Sequence, residues 1–394
     1  MTRKIVSITG TRADYGLMES VHRAIAADPA LELHLIVTGM HFLPAFESSL
    51  AEVRNDCLGV LHELQTLTGA DGGEAMAASI GNAVIGVARI IAEIGPNVVL
   101  LQGDRGEMLA GAIAAAHVNV PAVHMSGGDV SGSVDDSVRN AISKLASFHL
   151  TNCAQSTERL IAMGESHARI VEVGEPSLDQ LRRIDPLPLE TLAAELDLPA
   201  ERKFLIATLH PVTDEADRAA VQMQTLLDAL ETVGLCTVFT YPNADAGGGA
   251  MRDVLEAARG KPFLRIVANL GSRRYLSLLR HAAAVVGNSS SGLYDTPTLK
   301  IPTVNIGSRQ TGRVRADNVI DADFDKTAIV KAIRFAMEDA AFRTRLARCE
   351  SPYGDGHAAE RTLDVLKRLV LGHSLVAKWR NAPGPFLTAV GDAA

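Results

Sequence analysis

The sequence predicts an α/β protein built from two doubly wound, Rossmann-like parallel sheets. Three observations predict it. Short β-type runs alternate with helical periodicities along most of the chain, the pattern of a parallel sheet covered on both faces. The alternation breaks at Ile184-Asp185-Pro186-Leu187-Pro188, where two prolines end any regular element, and then restarts. The chain has 394 residues, too many for one ordinary core and suited to two.

In order, Lys4–Thr9 reads as a strand, Tyr15–Ala27 as a helix and Leu31–Thr38 as a strand. Gly73–Ile94 is a long amphipathic helix stopped by Gly95-Pro96. Strands follow at Val98–Gln102, Val120–His124, Phe148–Asn152 and Ile170–Val173, with helices at Glu107–His117 and Asp136–Ala146 between them. After the prolines, strands are expected at Phe204–Leu209, Cys236–Tyr241, Leu264–Ala268, Ala282–Val286 and Thr303–Ile306. Helices are expected at Asp214–Val233, Gly249–Arg259, Ser272–His281 and Leu293–Leu299. The division is an N-terminal domain over 1–183, a linker over 184–200 and a C-terminal domain over 201–361. A helix near 362–380 packs back on the first domain, and Pro383–Ala394 forms a loose tail.

Composition narrows the function. The formal net charge is −8, which disfavours nucleic acid and anionic membrane as partners. Cys57, Cys153, Cys236 and Cys349 form no CxxC pair and read as reduced thiols of a cytoplasmic protein. The N-terminus carries no signal-peptide pattern, and the apolar stretch Ile80–Ile94 is interrupted by Gly, Asn, Arg and Glu, so no membrane span is expected. No metal or cofactor is expected: HExxH, Walker A lysine and GxSxG are missing, and no GxGxxG follows the first strand.

Ligands of open α/β sheets bind at the carboxyl ends of strands, and the polar turns fall there. Gly287-Asn288-Ser289-Ser290-Ser291-Gly292 joins a strand end to a helix start. Unpaired N–H groups, the helix dipole and serine hydroxyls make that turn a phosphate seat, with glycines letting an anion approach the backbone. Arg12, Arg105, Arg309 and Arg313 lie just after strands, where a guanidinium grips phosphate oxygens. His210 also ends a strand and is placed to donate to a phosphate or protonate a departing one. Asp104, Asp129, Asp135 and Asp136 form an acidic set suited to acid/base work. Asp135 also reads as a cap of the helix beginning at Asp136.

These motifs resemble the hydrolysing UDP-N-acetylglucosamine 2-epimerases of sialic-acid biosynthesis. The resemblance rests on Gly10-Thr11-Arg12-Ala13-Asp14-Tyr15-Gly16, Gly103-Asp104-Arg105, Ser131–Arg139, His210-Pro211-Val212-Thr213, Gly287–Gly292 and Gly307-Ser308-Arg309-Gln310, in the family's order. It implies a GT-B-like fold with an interdomain cleft, a homodimer or homotetramer, and a nucleotide-sugar substrate, UDP favoured and GDP possible. It implies loss of the C2 proton, expulsion of UDP and addition of water with inversion at C2. By the same resemblance, Arg12, Arg105, His210, Ser289, Ser290 and Arg309 hold the diphosphate. Asn243 lies by the base, Asp295 binds the ribose, and Asp104 and Asp135 transfer protons.

The departures concern the sugar. Ser126 stands where the family carries a catalytic glutamate, Asp129 where it has a further glutamate, Asn140 where it has histidine, and Asp295 where it has glutamate. A serine has no useful pKa near neutrality. The sequence therefore leaves three readings: a 2-epimerase using Asp104, Asp129 and Asp135; a glycosyltransferase or hydrolase passing the sugar to water or to a small-molecule thiol or amine; and a non-catalytic binder.

Overall fold

The structure is a computed structural model describing residues 2–43, 47–69, 72–131, 134–199, 203–243, 245–378 and 386–388. The strands are β1 (Arg3–Thr9), β2 (Leu31–Val37), β3 (Val60–Glu63), β4 (Val98–Gln102), β5 (Ala122–Met125), β6 (Phe148–Thr151), β7 (Ile170–Glu172), β8 (Phe204–Thr208), β9 (Cys236–Thr240), β10 (Leu264–Val267), β11 (Ala284–Gly287), β12 (Thr303–Ile306) and β13 (Val319–Ala322). The helices are α1 (Arg12–Ala27), α2 (Glu47–Asp56), α3 (Gly73–Ile94), α4 (Gly106–Val118), α5 (Val134–Leu145), α6 (Ala154–Ala162), α7 (Ser177–Arg183), α8 (Leu189–Leu196), α9 (Ala219–Val233), α10 (Gly248–Ala257), α11 (Gly271–Leu279), α12 (Ser291–Leu299), α13 (Lys326–Glu338), α14 (Ala340–Ala347), α15 (Ala358–Arg368) and α16 (His373–Val376).

The chain forms two compact units, Met1–Gln180 with Tyr353–Ala394, and Leu181–Pro352. The first unit holds a seven-stranded sheet in the order β3-β2-β1-β4-β5-β6-β7, and the second a six-stranded sheet, β10-β9-β8-β11-β12-β13. Every pairing in both is parallel. These are the two Rossmann-like sheets the alternation predicts. The strand order reverses between β1 and β4 in one sheet and between β8 and β11 in the other, so each unit has a switch point where polar turns converge.

Successive residues of the central strands serve opposite faces, as the strand period of two requires. Ile5, Val98 and Leu100 pack on one face of the first sheet with residues of α1 and α15, and Val6, Val99 and Leu101 on the other with α3 and α4. In the second unit Leu205, Ala207, Val286 and Val304 pack with α9, α10 and α13.

Several expectations are corrected. The proposed linker is extended only at its start: α8 occupies Leu189–Leu196 and buries Leu192. The last long helix is shorter than expected, ending at Arg368. Part of the tail is packed, with Phe386 buried beneath the Arg169 guanidinium at 4.0 Å and Leu387 bridged to Leu369; Trp379 and most of the tail lie outside the described residues. Contrary to the composition reading, α3 is long and apolar enough to cross a membrane. It nevertheless packs along α4 and buries Ala83, Val87 and Ile91 in the core, and Gly95 caps it in the left-handed conformation.

Candidate functional site

The first unit's switch point gathers two turns, after β1 and β4. The turn after β1 closes on itself. Thr11 caps α1 by accepting from the Asp14 N–H at 3.2 Å, while the Asp14 carboxylate accepts from Gly10 and Thr11 N–H and from the Thr9 hydroxyl. Burial raises the Asp14 pKa to about 6, against those hydrogen bonds. Arg12 points outward and pairs with Glu52 at 3.1 Å, both side chains well exposed. Arg105, the residue before α4, lies 3.3 Å from the Glu107 carboxylate.

The acidic set separates into different environments. Asp104 Oδ2 accepts from Ser131 Oγ at 2.6 Å and from the Arg139 guanidinium. Asp129 is buried, with Oδ1 on the Val130 N–H at 2.9 Å. Asp136 Oδ1 accepts from the Ser131 N–H at 2.6 Å. Asp135 is exposed, and because α5 starts at Val134 it stands inside the first turn rather than capping it. Gly132 and Ser133 of the same motif lie outside the described residues.

Ser126 is buried, and its φ of +59° puts a non-glycine residue in the left-handed region. Its hydroxyl accepts from the Gln102 amide at 3.0 Å and its carbonyl from Arg139 at 2.8 Å. A neutral amide–hydroxyl pair thus occupies the place of the expected glutamate. His124, on β5, is buried and hydrogen-bonded to Ser143 Oγ at 3.0 Å and to the Gly103 carbonyl at 2.8 Å. Burial holds its pKa down at about 3, so the ring is neutral.

In the second unit, His210 follows β8 and the Gly287–Ser291 turn follows β11. Asn288 stitches them together. Its Oδ1 accepts from the His210 N–H at 2.7 Å and its Nδ2 donates to the His210 carbonyl at 2.8 Å. Its own carbonyl accepts from Arg309 at 3.1 Å and Gln310 at 2.7 Å, bringing in the turn after β12. Burial, reinforced by the Arg309 charge, lowers the His210 pKa to about 3. A neutral ring can donate to a phosphate oxygen, but it holds no spare proton for a departing one near pH 7.

The serines divide. Ser290 stands just before α12 with no side-chain cap, so its hydroxyl is not spent on the helix start. Ser291 is committed to the protein, donating to Asp295 Oδ2 at 2.6 Å and contacting Tyr275 Oη at 2.7 Å. Ser289 precedes it, half-buried, its carbonyl accepting from the Gly292 N–H at 3.1 Å. Burial raises the Asp295 pKa to about 6. Arg313 lies over the Tyr294 ring at 5.9 Å, and Asn243 donates its N–H to His210 Nδ1.

The glycines do something other than admit an anion. Gly287 has φ +131°, and a Cβ there would lie 1.9 Å from the Thr208 carbonyl oxygen; at Gly292 it would meet Thr303 Cγ2 at 2.7 Å. Both serve strand and helix packing.

Sequence reasoning missed Gln102, Tyr275, the bonding of Asn288 to His210 and, as a site residue, Arg139. A signal for Arg139 existed: it shares the helical stripe of Ile142, Ser143 and Ala146, where a guanidinium is out of place unless paired. Among the described residues no group of three His, Cys, Asp or Glu side chains is arranged to hold a metal ion.

A model of the UDP-N-acetylglucosamine 2-epimerase family matches residues 23–367. A Legionella pneumophila protein named UDP-N,N′-diacetylbacillosamine 2-epimerase (hydrolyzing) is 36% identical over 97% of this chain and 100% of its own length. A Campylobacter jejuni protein named GDP/UDP-N,N′-diacetylbacillosamine 2-epimerase (hydrolyzing) is 31% identical over 82% of this chain and 85% of its own. The crystal structure of Neisseria meningitidis UDP-GlcNAc 2-epimerase bound to UDP-GlcNAc shares the fold, with TM-score 0.78, 15% identity, and coverage of 92% of this chain and 99% of that one. The chain belongs to the UDP-N-acetylglucosamine 2-epimerase family.

Proposed function

We propose that the chain is a hydrolysing 2-epimerase of a UDP-linked 2-acetamido sugar, releasing UDP and the free sugar inverted at C2, with UDP-N,N′-diacetylbacillosamine as the preferred substrate. The observation that carries this is the end-to-end match at 36% identity to the Legionella enzyme of that name. In this reading a carboxylate removes the C2 proton and the C1–O bond breaks to expel UDP. Water then adds to the resulting 2-acetamidoglycal, its hydroxide at C1 and its proton at C2 from the opposite face. Asp104 and Asp135 of the first unit serve the proton transfers. Arg309, Ser289, Ser290 and neutral His210 of the second serve the diphosphate, and Asp295 the ribose. Arg12 and Arg105 also serve the diphosphate in this reading; Glu52, the partner of Arg12, is well exposed and holds it weakly.

We further propose that the protein works as a homo-oligomer in the cytoplasm. Met76 and Ile85 of α3 are large apolar side chains left exposed, and all four cysteines are free thiols. Incubation of the protein with UDP-N,N′-diacetylbacillosamine and with UDP-N-acetylglucosamine in D2O, followed by NMR, tests the activity. The expected product carries deuterium at an inverted C2. UDP release that needs an added acceptor, with C2 protonated and uninverted, would replace the reading with sugar transfer.

A further inference from the structure

We propose that Arg139 is the positioning residue of the first unit's site and that it assigns different work to the two oxygens of Asp104. This rests on the epimerase reading above. Arg139 is 5% exposed. One terminal nitrogen donates to the Ser126 carbonyl at 2.8 Å; the other donates to Asp104 Oδ2 and to Ser131 Oγ, the latter at 2.7 Å. Its Nε is buried and unpartnered, so the fork is oriented by its two ends alone.

Three consequences follow from that geometry. The guanidinium ties the turn after β4 to the turn after β5 through one rigid plane, which a lysine cannot reproduce. Both donors to Asp104, Arg139 and Ser131 Oγ, fall on Oδ2, so Oδ1 is the oxygen left to exchange a proton with the sugar. The Ser126 contact is to its backbone carbonyl, which any residue supplies, so the frame around Asp104 survives the exchange of the expected glutamate for serine. The helix carrying the fork is itself held one turn further on, where Lys378 Nζ donates to the Ser143 carbonyl at 2.7 Å.

The test compares wild type with Arg139→Lys, Arg139→Gln and Ser131→Ala. Each is assayed for kcat and KM with the UDP-sugar, for UDP binding by calorimetry, and for folding by circular dichroism. Misplacing a reacting group by an ångström costs about a hundredfold in rate. Arg139→Gln is therefore expected to lose about that much kcat and Arg139→Lys less, with KM and UDP affinity within about twofold of wild type. Ser131→Ala removes one contact to Oδ2 and covers the case in which Arg139→Gln does not fold; it is expected to lose about tenfold in kcat. Folded variants with wild-type kcat, or a loss confined to KM, would overturn the proposal. A wild type without turnover would instead sink the epimerase reading on which it rests.

Discussion

The backbone N–H of Asn243 donates to Nδ1 of His210 at 3.0 Å. That single bond fixes the tautomer: Nδ1 accepts, so the proton of the neutral ring sits on Nε2. The expected result is a ring with one proton, on Nε2, from about pH 5 to 8, read from ¹⁵N shifts of labelled protein. A ring that gains a second proton near its ordinary pKa would contradict both the burial and the donor role assigned to it.

Gly287 and Gly81 make opposite predictions for one substitution. Gly287→Ala drives a Cβ to 1.9 Å from the Thr208 carbonyl oxygen at φ +131°, and a loss above about 4 kcal/mol or failure to fold is expected. Gly81 lies exposed in α3 with nothing within 4 Å of a built Cβ, so Gly81→Ala is expected to stabilise by about 0.5–1 kcal/mol. Urea midpoints of the two variants check both signs.

Burial lowers His22 and His41 to about 4 and His124 and His210 to about 3. Their folded values lie below the unfolded one, about 6.5, so the unfolded chain takes up these protons first. The stability they carry is complete above about pH 6.5 and is lost as pH falls towards the folded values. Asp14 and Asp295, raised to about 6 by burial, act oppositely. Their cost is present above pH 6 and is relieved as pH falls towards the unfolded carboxyl value. Four rings against two carboxyls give a net fall in stability between about pH 6.5 and 4.5, visible as a declining thermal midpoint. A midpoint that rises over that range would count against these neutral buried rings.

Ser126→Glu places a carboxylate where Gln102 now donates to a hydroxyl at 3.0 Å, on a residue held at φ +59°. Stability is expected to fall by about 1–3 kcal/mol, and kcat with the UDP-sugar not to rise. An increase in kcat would show that residue 126 still faces the reacting carbon.

What was legible in the chain was periodic or local. The strands Val98–Gln102 and Thr303–Ile306 and the helix Gly73–Ile94 were readable to the residue. The strands β3 and β13 were not, since each is four residues at a sheet edge with little burial to mark it. The turns that carry chemistry could be placed because switch-point topology puts them at strand ends. Their wiring could not: nothing local says that the Asn288 side chain bonds both main-chain groups of His210, 78 positions away. The glycines misled for the same reason, because a missing Cβ can serve a ligand or a neighbouring strand, and only the packing of Thr208 and Thr303 decides.

The first unit is assembled from both sides of the second in sequence, residues 1–180 and 353–394. Its core includes Val365, Leu366, Leu369, Leu375 and Phe386 beside Ile5 and Val98. During synthesis the early sheet therefore leaves the ribosome with that face covered by α1 but not yet by α15, and the middle unit, wholly contiguous, is free to finish first. The unit begun first is thus the one completed last, its sheet closed only when the residues past 353 arrive.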